Sequence, residues 1–298
     1  MWIEGVIVHP KVLKICDVEE LHTFKAFLGK HNLKLFGFST HDDMHRRNLI
    51  EKELGGFFIT KNDIGEKKGS PKWIEYIERN FSIPHNKLIY IGCGIDRKEW
   101  LTATNSSVFY IHYTKDGIHK DVKKYTLSIK NITKITKFIE IFFTYDPLYT
   151  YKKDFNEKTK LRILFDAGVV LRDYKGESFS LQDLFTYDKI FYLGKEKKLD
   201  ARSVLFLLLI IQLWKENLAS RGVIWCVYPS AKKGKVSRNI EPYLKLFRGF
   251  TASRYDEVLV RVGDTIDKSD ARRKRQHSEI SFDREKNTLK VNTNLIKN

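Results

Sequence analysis

Cysteine is scarce in this chain: Cys16, Cys93 and Cys226 are the three among 298 residues. The count is odd and none stands at zinc-ligand spacing, so the sequence implies no disulfide framework. A reducing, cytoplasmic compartment is the expectation. The N-terminus lacks the basic-then-apolar pattern of a signal peptide. Long apolar runs are missing as well. The longest, Val204 to Ile211, ends at Gln212 and falls short of the about 20 residues that span a bilayer. It reads as a buried core helix, and no membrane partner is expected. There is no internal repeat and no segment of low complexity, although Lys268 to Arg275 is a dense charge run.

Hydrophobic residues make up 42% and aromatics 13% of the chain, enough for real cores and too many for disorder. The length suggests two domains. Lys+Arg exceed Asp+Glu by 54 to 37, a net charge of +17. Such a surplus favours polyanionic partners, phosphate ligands or nucleic acid. The lysines are spread along the whole chain, which equally fits a surface that is simply basic.

The first ~145 residues alternate strand and helix patterns, as in a parallel sheet with crossover helices. Strands are expected at Ile3 to Val8, Leu33 to Phe38, Phe57 to Ile59, Leu88 to Ile91 and Val108 to His112. Helices are expected at Val18 to Lys30, Arg46 to Leu54 and Ile129 to Phe143. A further helix follows Ser70 as N-cap, with Pro71 at its first position. Asp146-Pro147 and the polar run Tyr151 to Lys160 read as a linker, giving domains at 1–147 and 160–298. The second holds the long apolar helix after Asp200, the strand Gly222 to Tyr228, and the basic loop Ser230 to Lys235.

One stretch stands out. Leu88-Ile89-Tyr90-Ile91-Gly92-Cys93-Gly94-Ile95-Asp96 is an apolar strand running into a Gly-rich loop that ends on an acid. Open α/β sheets bind ligands at such carboxyl ends. With Ser39-Thr40 after the second strand and Lys68-Gly69-Ser70-Pro71 before the helix, the order over roughly residues 3 to 113 resembles the haloacid dehalogenase-like (HAD) phosphatases. The resemblance implies a Rossmann-like parallel sheet, an Asp nucleophile on the first strand, a second Asp as acid and base, a phosphate-holding hydroxyl and lysine, and magnesium on acids of a Gly-Asp loop. Here the nucleophile falls on His9 and the acid/base on Lys11. Ser39 or Thr40 matches the hydroxyl, and Lys68, with Lys67 second, the lysine. Gly92 matches the loop glycine, Cys93 replaces its acid, and Asp96 or Glu99 supplies what remains for magnesium. The phosphate-holding half is thus kept and the nucleophile lost. Taken singly, His9 is a loop residue, Lys68 a surface lysine, Cys93 a small buried residue or a reactive thiol, and Asp96 a helix N-cap.

The second half resembles type I phosphoribosyltransferases, including the competence-associated group. Val223 to Ser230 looks like the strand leading into a pyrophosphate loop. The run from Val258 to Ser281 looks like the basic strand-loop of those enzymes, and Ile280 to Val291, turning at Asp283 to Asn287, like a β-hairpin. The resemblance implies a second parallel sheet, with Ser230, Lys232, Lys233, Arg272, Arg273 and Arg275 stabilising pyrophosphate. The family's two acids and Thr/Gly ribose-phosphate loop should follow Leu295, where the sequence stops at Asn298.

The expectation is a phosphate- or nucleotide-binding pseudoenzyme, with magnesium as the one cofactor implied and a phosphorylated small molecule as its partner. Related domain pairings extend it to bacterial stress-response or defence systems. The alternatives are a nucleic-acid-binding accessory protein of such a complex, with Trp225, Tyr228 and Phe250 as stacking candidates, a truncated phosphoribosyltransferase, or an enzyme with His9 or Cys93 as nucleophile.

Overall fold

The computed structural model describes residues 1–94, 97–113, 122, 126–144, 151–154, 160–163, 191–193, 197–198, 201–219, 223–235, 250–251, 253–265 and 282–295. Six strands pair in parallel: β1 (Gly5–Val8), β2 (Lys34–Ser39), β3 (Phe57–Thr60), β4 (Leu88–Gly92), β5 (Phe109–Tyr113) and β6 (Leu127–Ile129). Their order is β3-β2-β1-β4-β5-β6, the order of a Rossmann-like sheet. Every residue of β1, β4, β5 and β6 is buried, as sheets covered on both faces require. Gly5 of β1 stands in register with Lys34 of β2 and Leu88 of β4. The strand order reverses between β1 and β4, so their carboxyl ends frame the crevice where such sheets take ligands.

Helices make the crossovers. α1 (Pro10–Ile15) and α2 (Val18–Lys30) join β1 to β2. α3 (Met44–Asn48) continues as a π-helical turn over Leu49–Glu53 before β3. α4 (Lys61–Ile64) and α5 (Lys72–Phe81) lead to β4, α6 (Lys98–Asn105) to β5, and α7 (Ile132–Phe143) follows β6. Successive residues of a strand face opposite ways, so Tyr110 and Phe109 of β5 serve different cores. Tyr110 belongs to a cluster with Phe38, Trp73, Ile74, Ile77 and Tyr90. Phe109 packs with Phe143 at 5.4 Å between ring centroids and with Phe250 at 5.7 Å. Trp214, from α8 (Ala201–Lys215), meets Phe143 edge-on at 5.3 Å.

Several expectations need correction. α5 begins at Lys72, not at Pro71. Pro71 is its N-cap, because the Pro71 carbonyl already accepts from the Ile74 and Glu75 amides; Ser70 Oγ accepts from the Lys72 amide at 3.3 Å. Where a linker was expected, β7 (Tyr151–Asp154) and β8 (Lys160–Ile163) pair antiparallel. That pairing runs through the backbone, which a polar sequence does not advertise. The main sheet also continues past the expected boundary: β9 (Phe191–Leu193) lies antiparallel to β6, and β10 (Lys197–Lys198) antiparallel to β9.

The chain accordingly divides elsewhere. One compact unit comprises Met1–Ser220 with Arg248–Ala252, the other Arg221–Phe247 with Ser253–Asn298. In the second unit, β11 (Ile224–Trp225) pairs in parallel with β12 (Arg254–Tyr255). β13 (Leu259–Arg261) pairs antiparallel with β14 (Leu289–Val291). Among the described residues these two-stranded sheets stand in place of the expected second parallel sheet. The expected turn of a hairpin is instead a helix, α9 (Phe282–Asn287), in keeping with the good helix formers Arg284, Glu285 and Lys286. Among the described residues no helix is long and apolar enough to cross a membrane.

Candidate functional site

The crevice between β1 and β4 is built from three separate stretches of chain. His9 is the first residue after β1 and the N-cap of α1; its Nδ1 accepts from the Lys11 amide at 3.3 Å. Pro10 follows at a helical position that needs no N–H. Cys93 is the first residue after β4, and Glu99 sits in the first turn of α6, where the helix dipole favours an acid. Glu99 Oε2 accepts from the Cys93 amide at 2.9 Å. Cys93 Sγ lies 3.4 Å from Glu99 Oε1 and 3.4 Å from His9 Nδ1. His9 Nε2 lies 3.4 Å from Glu99 Oε1.

Glycine makes this approach feasible. A Cβ on Gly92 would stand 2.6 Å from Glu99 Oε2 and 2.2 Å from Tyr110 Oη. Gly94 takes φ +62, and a Cβ there would stand 2.4 Å from the His112 ring. His112 supports the loop from behind: its Nε2 meets the Cys93 carbonyl at 3.1 Å and its Nδ1 the Ser128 hydroxyl at 3.2 Å. A carbonyl only accepts, so Nε2 carries the proton and Ser128 donates to Nδ1.

Burial, with the positive charges of Lys68, Arg46 and Lys11, lowers the His9 pKa to about 2. The imidazole is therefore neutral at ordinary pH.

Lys68 is buried while Lys67 is exposed. The Lys68 ammonium donates to the Phe38 carbonyl at 2.7 Å, at the carboxyl end of β2. Its loop is tied to α6: the Gly69 amide donates to Thr102 Oγ1 at 2.7 Å, and Asn105 Nδ2 donates to the Gly69 carbonyl at 3.1 Å. Ser39 is buried, with Oγ accepting from the His41 amide at 3.4 Å, and Thr40 is half-buried. Lys11 is exposed. Asp96 lies outside the described residues. His9, Cys93, Lys68 and Glu99 each stand out in the sequence separately, and the structure brings His9, Cys93 and Glu99 together; Thr102, Asn105 and His112 do not stand out there. The i, i+33 and i, i+36 links from Gly69 to α6 leave no local signal.

The basic loop of the second unit is held by its own neighbours. The Ser230 amide donates to the Lys235 carbonyl at 2.9 Å, and buried Arg261 donates from Nε to the Ser230 carbonyl at 2.7 Å. Asp264 Oδ1 accepts from the Lys233 amide at 2.7 Å, and Asp264 Oδ2 lies 3.6 Å from Lys232 Nζ. The Lys233 amide, then the Lys232 charge, holds the Asp264 carboxyl below the usual range. Asp264 thus partners both lysines of this loop that the sequence singled out. Of the stacking candidates, Phe250 is core, Trp225 half-buried and Tyr228 exposed beside the Arg261 guanidinium. Arg272, Arg273 and Arg275 lie outside the described residues.

The three donors of the crevice do not suit magnesium. That ion takes oxygen ligands in near-octahedral geometry, and here a nitrogen and a sulfur accompany one carboxylate. The residues at and after the end of β1 are His9 and Lys11, neither of them a carboxylate.

No protein-family model and no curated protein matches the sequence. Solved structures do. The core domain of a candidate phosphoglycolate phosphatase from Streptococcus pneumoniae aligns at 18% identity, over 47% of this chain and 97% of that one, with a TM-score of 0.35. A HAD-superfamily hydrolase of subfamily IA, variant 1, from Geobacter sulfurreducens aligns at 14% identity, over 41% and 53%, with a TM-score of 0.30. A HAD-family hydrolase candidate from Streptomyces avermitilis aligns at 12% identity, over 40% and 70%, with a TM-score of 0.29.

Proposed function

We propose that the first unit is a HAD-like domain whose strand-end crevice binds a phosphorylated small molecule or nucleotide without the family's usual phosphatase chemistry. One observation supports this above the rest. A buried lysine, Lys68, is fixed at the carboxyl end of β2 by its bond to Phe38, while the end of β1 presents the neutral imidazole of His9. The cation that would neutralise a phosphoryl group is kept; the carboxylate that would attack it is not there. Ser39, Thr40 and the Gly92 loop are the further contacts of this reading.

The test is thermal stability against inorganic phosphate, ribose phosphates, nucleotides and phosphoribosyl pyrophosphate, each with and without magnesium. A ligand that binds the folded state raises the melting temperature. The expected result is a shift with one phosphorylated class that Lys68→Met abolishes and Lys67→Met leaves intact. No release of phosphate from small phosphoesters is expected. Magnesium-dependent release that Lys68→Met removes would overturn the non-catalytic reading. Phosphoribosyl pyrophosphate in the panel tests the resemblance of residues 160–298 to phosphoribosyltransferases, which rests on sequence alone.

The net charge of +17 supports a second reading, a nucleic-acid-binding accessory protein of a bacterial stress-response or defence complex. Its mark is binding to short DNA or RNA that weakens steeply with salt. Absence of binding at low salt ends it.

A further inference from the structure

The disagreement between the crevice and magnesium is itself informative. His9, Cys93 and Glu99 each offer one donor atom, and those atoms lie within 4.8 Å of one another. Two separations are tighter: Sγ stands 3.4 Å from a carboxylate oxygen and 3.4 Å from an imidazole nitrogen. A tetrahedral zinc ion, with bonds of about 2.0–2.3 Å, sets its ligands roughly 3.3–3.7 Å apart. We propose that His9, Cys93 and Glu99 form a three-ligand site for zinc or a similar borderline divalent ion, His9 Nδ1 exchanging its bond from the Lys11 amide for the metal on loading.

Three independent features bear on this. The first is donor type: thiolate and imidazole select zinc-like ions, whereas magnesium wants oxygen alone. The second is charge: a thiolate and a carboxylate together balance a divalent cation, so the buried pair is neutral once loaded. The third is support beyond the donors. The Cys93 amide pins the second oxygen of Glu99 at 2.9 Å, and His112 holds the Cys93 carbonyl at 3.1 Å. Such outer bonds orient metal ligands. The side chain of His9 is 17% exposed against 4% for Glu99, so solvent reaches the cluster from the His9 side. Three protein ligands leave a fourth position there for an oxygen, from water or from a phosphorylated ligand. The zinc site shares the crevice with the pocket proposed above but does not depend on it.

The experiment uses the full chain with Cys16 and Cys226 changed to serine, so that Cys93 is the one thiol. The protein is stripped with a chelator, then titrated with zinc, cobalt and magnesium. About one zinc per chain by elemental analysis is expected, with a rise in melting temperature that excess magnesium does not reproduce. Cobalt should give a thiolate charge-transfer band in the near ultraviolet and tetrahedral visible bands. Cys93→Ser should lose the charge-transfer band, and Glu99→Gln should weaken binding, in proteins whose far-ultraviolet circular dichroism is unchanged. If either variant fails to fold, the cobalt spectrum of the Cys93-only parent decides alone. No bound zinc and no thiolate band overturns the proposal and leaves a hydrogen-bonded Cys-His-Glu cluster. A phosphate-induced shift in the metal-free protein would support the pocket while leaving the zinc result to stand or fall by itself.

Discussion

His112 shows how one buried side chain ties the site to the stability of the domain. It is 0% exposed and satisfied only as the neutral ring, donating to the Cys93 carbonyl and accepting from Ser128. Burial drives its pKa down from 6.5 to about 4, and the bond to Cys93 offsets part of that. The unfolded chain therefore binds a proton between pH 6.5 and 4 that the folded chain refuses. Stability from this group is complete above pH 6.5 and falls as the pH drops toward 4. Between pH 7 and 5 the loss should be on the order of 2 kcal/mol. Urea unfolding at both values, for wild type and His112→Gln, checks it: the variant should lose less. An unchanged pH dependence would refute this account. In the sequence, His112 looks like any polar residue closing a strand. Only the pairing of β4 with β5, which sets Gly92 opposite His112, brings it under the Cys93 loop.

α2 illustrates what an element owes to its own residues and what it owes to others. The spacing of Phe24, Phe27 and Leu28 makes one helical face, and all three are buried. The start is a reciprocal cap: Asp17 Oδ1 accepts from the Glu20 amide at 2.8 Å, and Glu20 Oε2 from the Asp17 amide at 3.3 Å. Glu20 does more than cap. It is buried, and its carboxylate also accepts from Tyr113 Oη at 3.2 Å and from the Ile132 amide at 2.9 Å. One acid thus joins α2, β5 and the start of α7. Asp17→Ala should cost about 1 kcal/mol, the usual worth of a cap. Glu20→Ala should cost about 2–5 kcal/mol, because buried donors on two other elements lose an acceptor as well. Chemical denaturation of the two variants separates the cases; equal costs would reduce Glu20 to a cap. The helix itself was legible from Val18 to Lys30 because capping and periodicity are local. The bonds to residues 113 and 132 are not.

At the scale of the molecule, the first unit is discontinuous: it leaves off at Ser220 and takes up Arg248–Ala252 again. Phe250 in that returning segment is 1% exposed and packs against Phe109 at 5.7 Å and Phe206 at 6.0 Å. The core of the main sheet therefore needs a residue far down the chain. Phe250→Ala should destabilise the first unit by about 3–5 kcal/mol, the range for emptying a buried phenylalanine site. A drop in the melting transition of that unit is the readout, and a loss under about 1 kcal/mol would contradict the packing. The boundary expected near residues 147–160 rested on a polar run. A polar run marks a linker only when no backbone pairing crosses it. Here β7 and β8 pair antiparallel across the run, and β9 and β10 then extend the sheet.

By itself the sequence determined the parallel alternation of strand and helix through about residue 143, since a strand buried on both faces must read as a continuous apolar run. It also showed that His9 and Cys93 directly follow two of those apolar runs. Tertiary structure alone decided that His9, Cys93 and Glu99 meet. They stand up to 90 residues apart, and only the switch in strand order between β1 and β4 brings two strand ends and a helix start to one crevice. It decided as well that Asp264 closes the basic loop of the second unit, because a carboxylate 31 residues from Lys233 acts on it through space and not through local pattern.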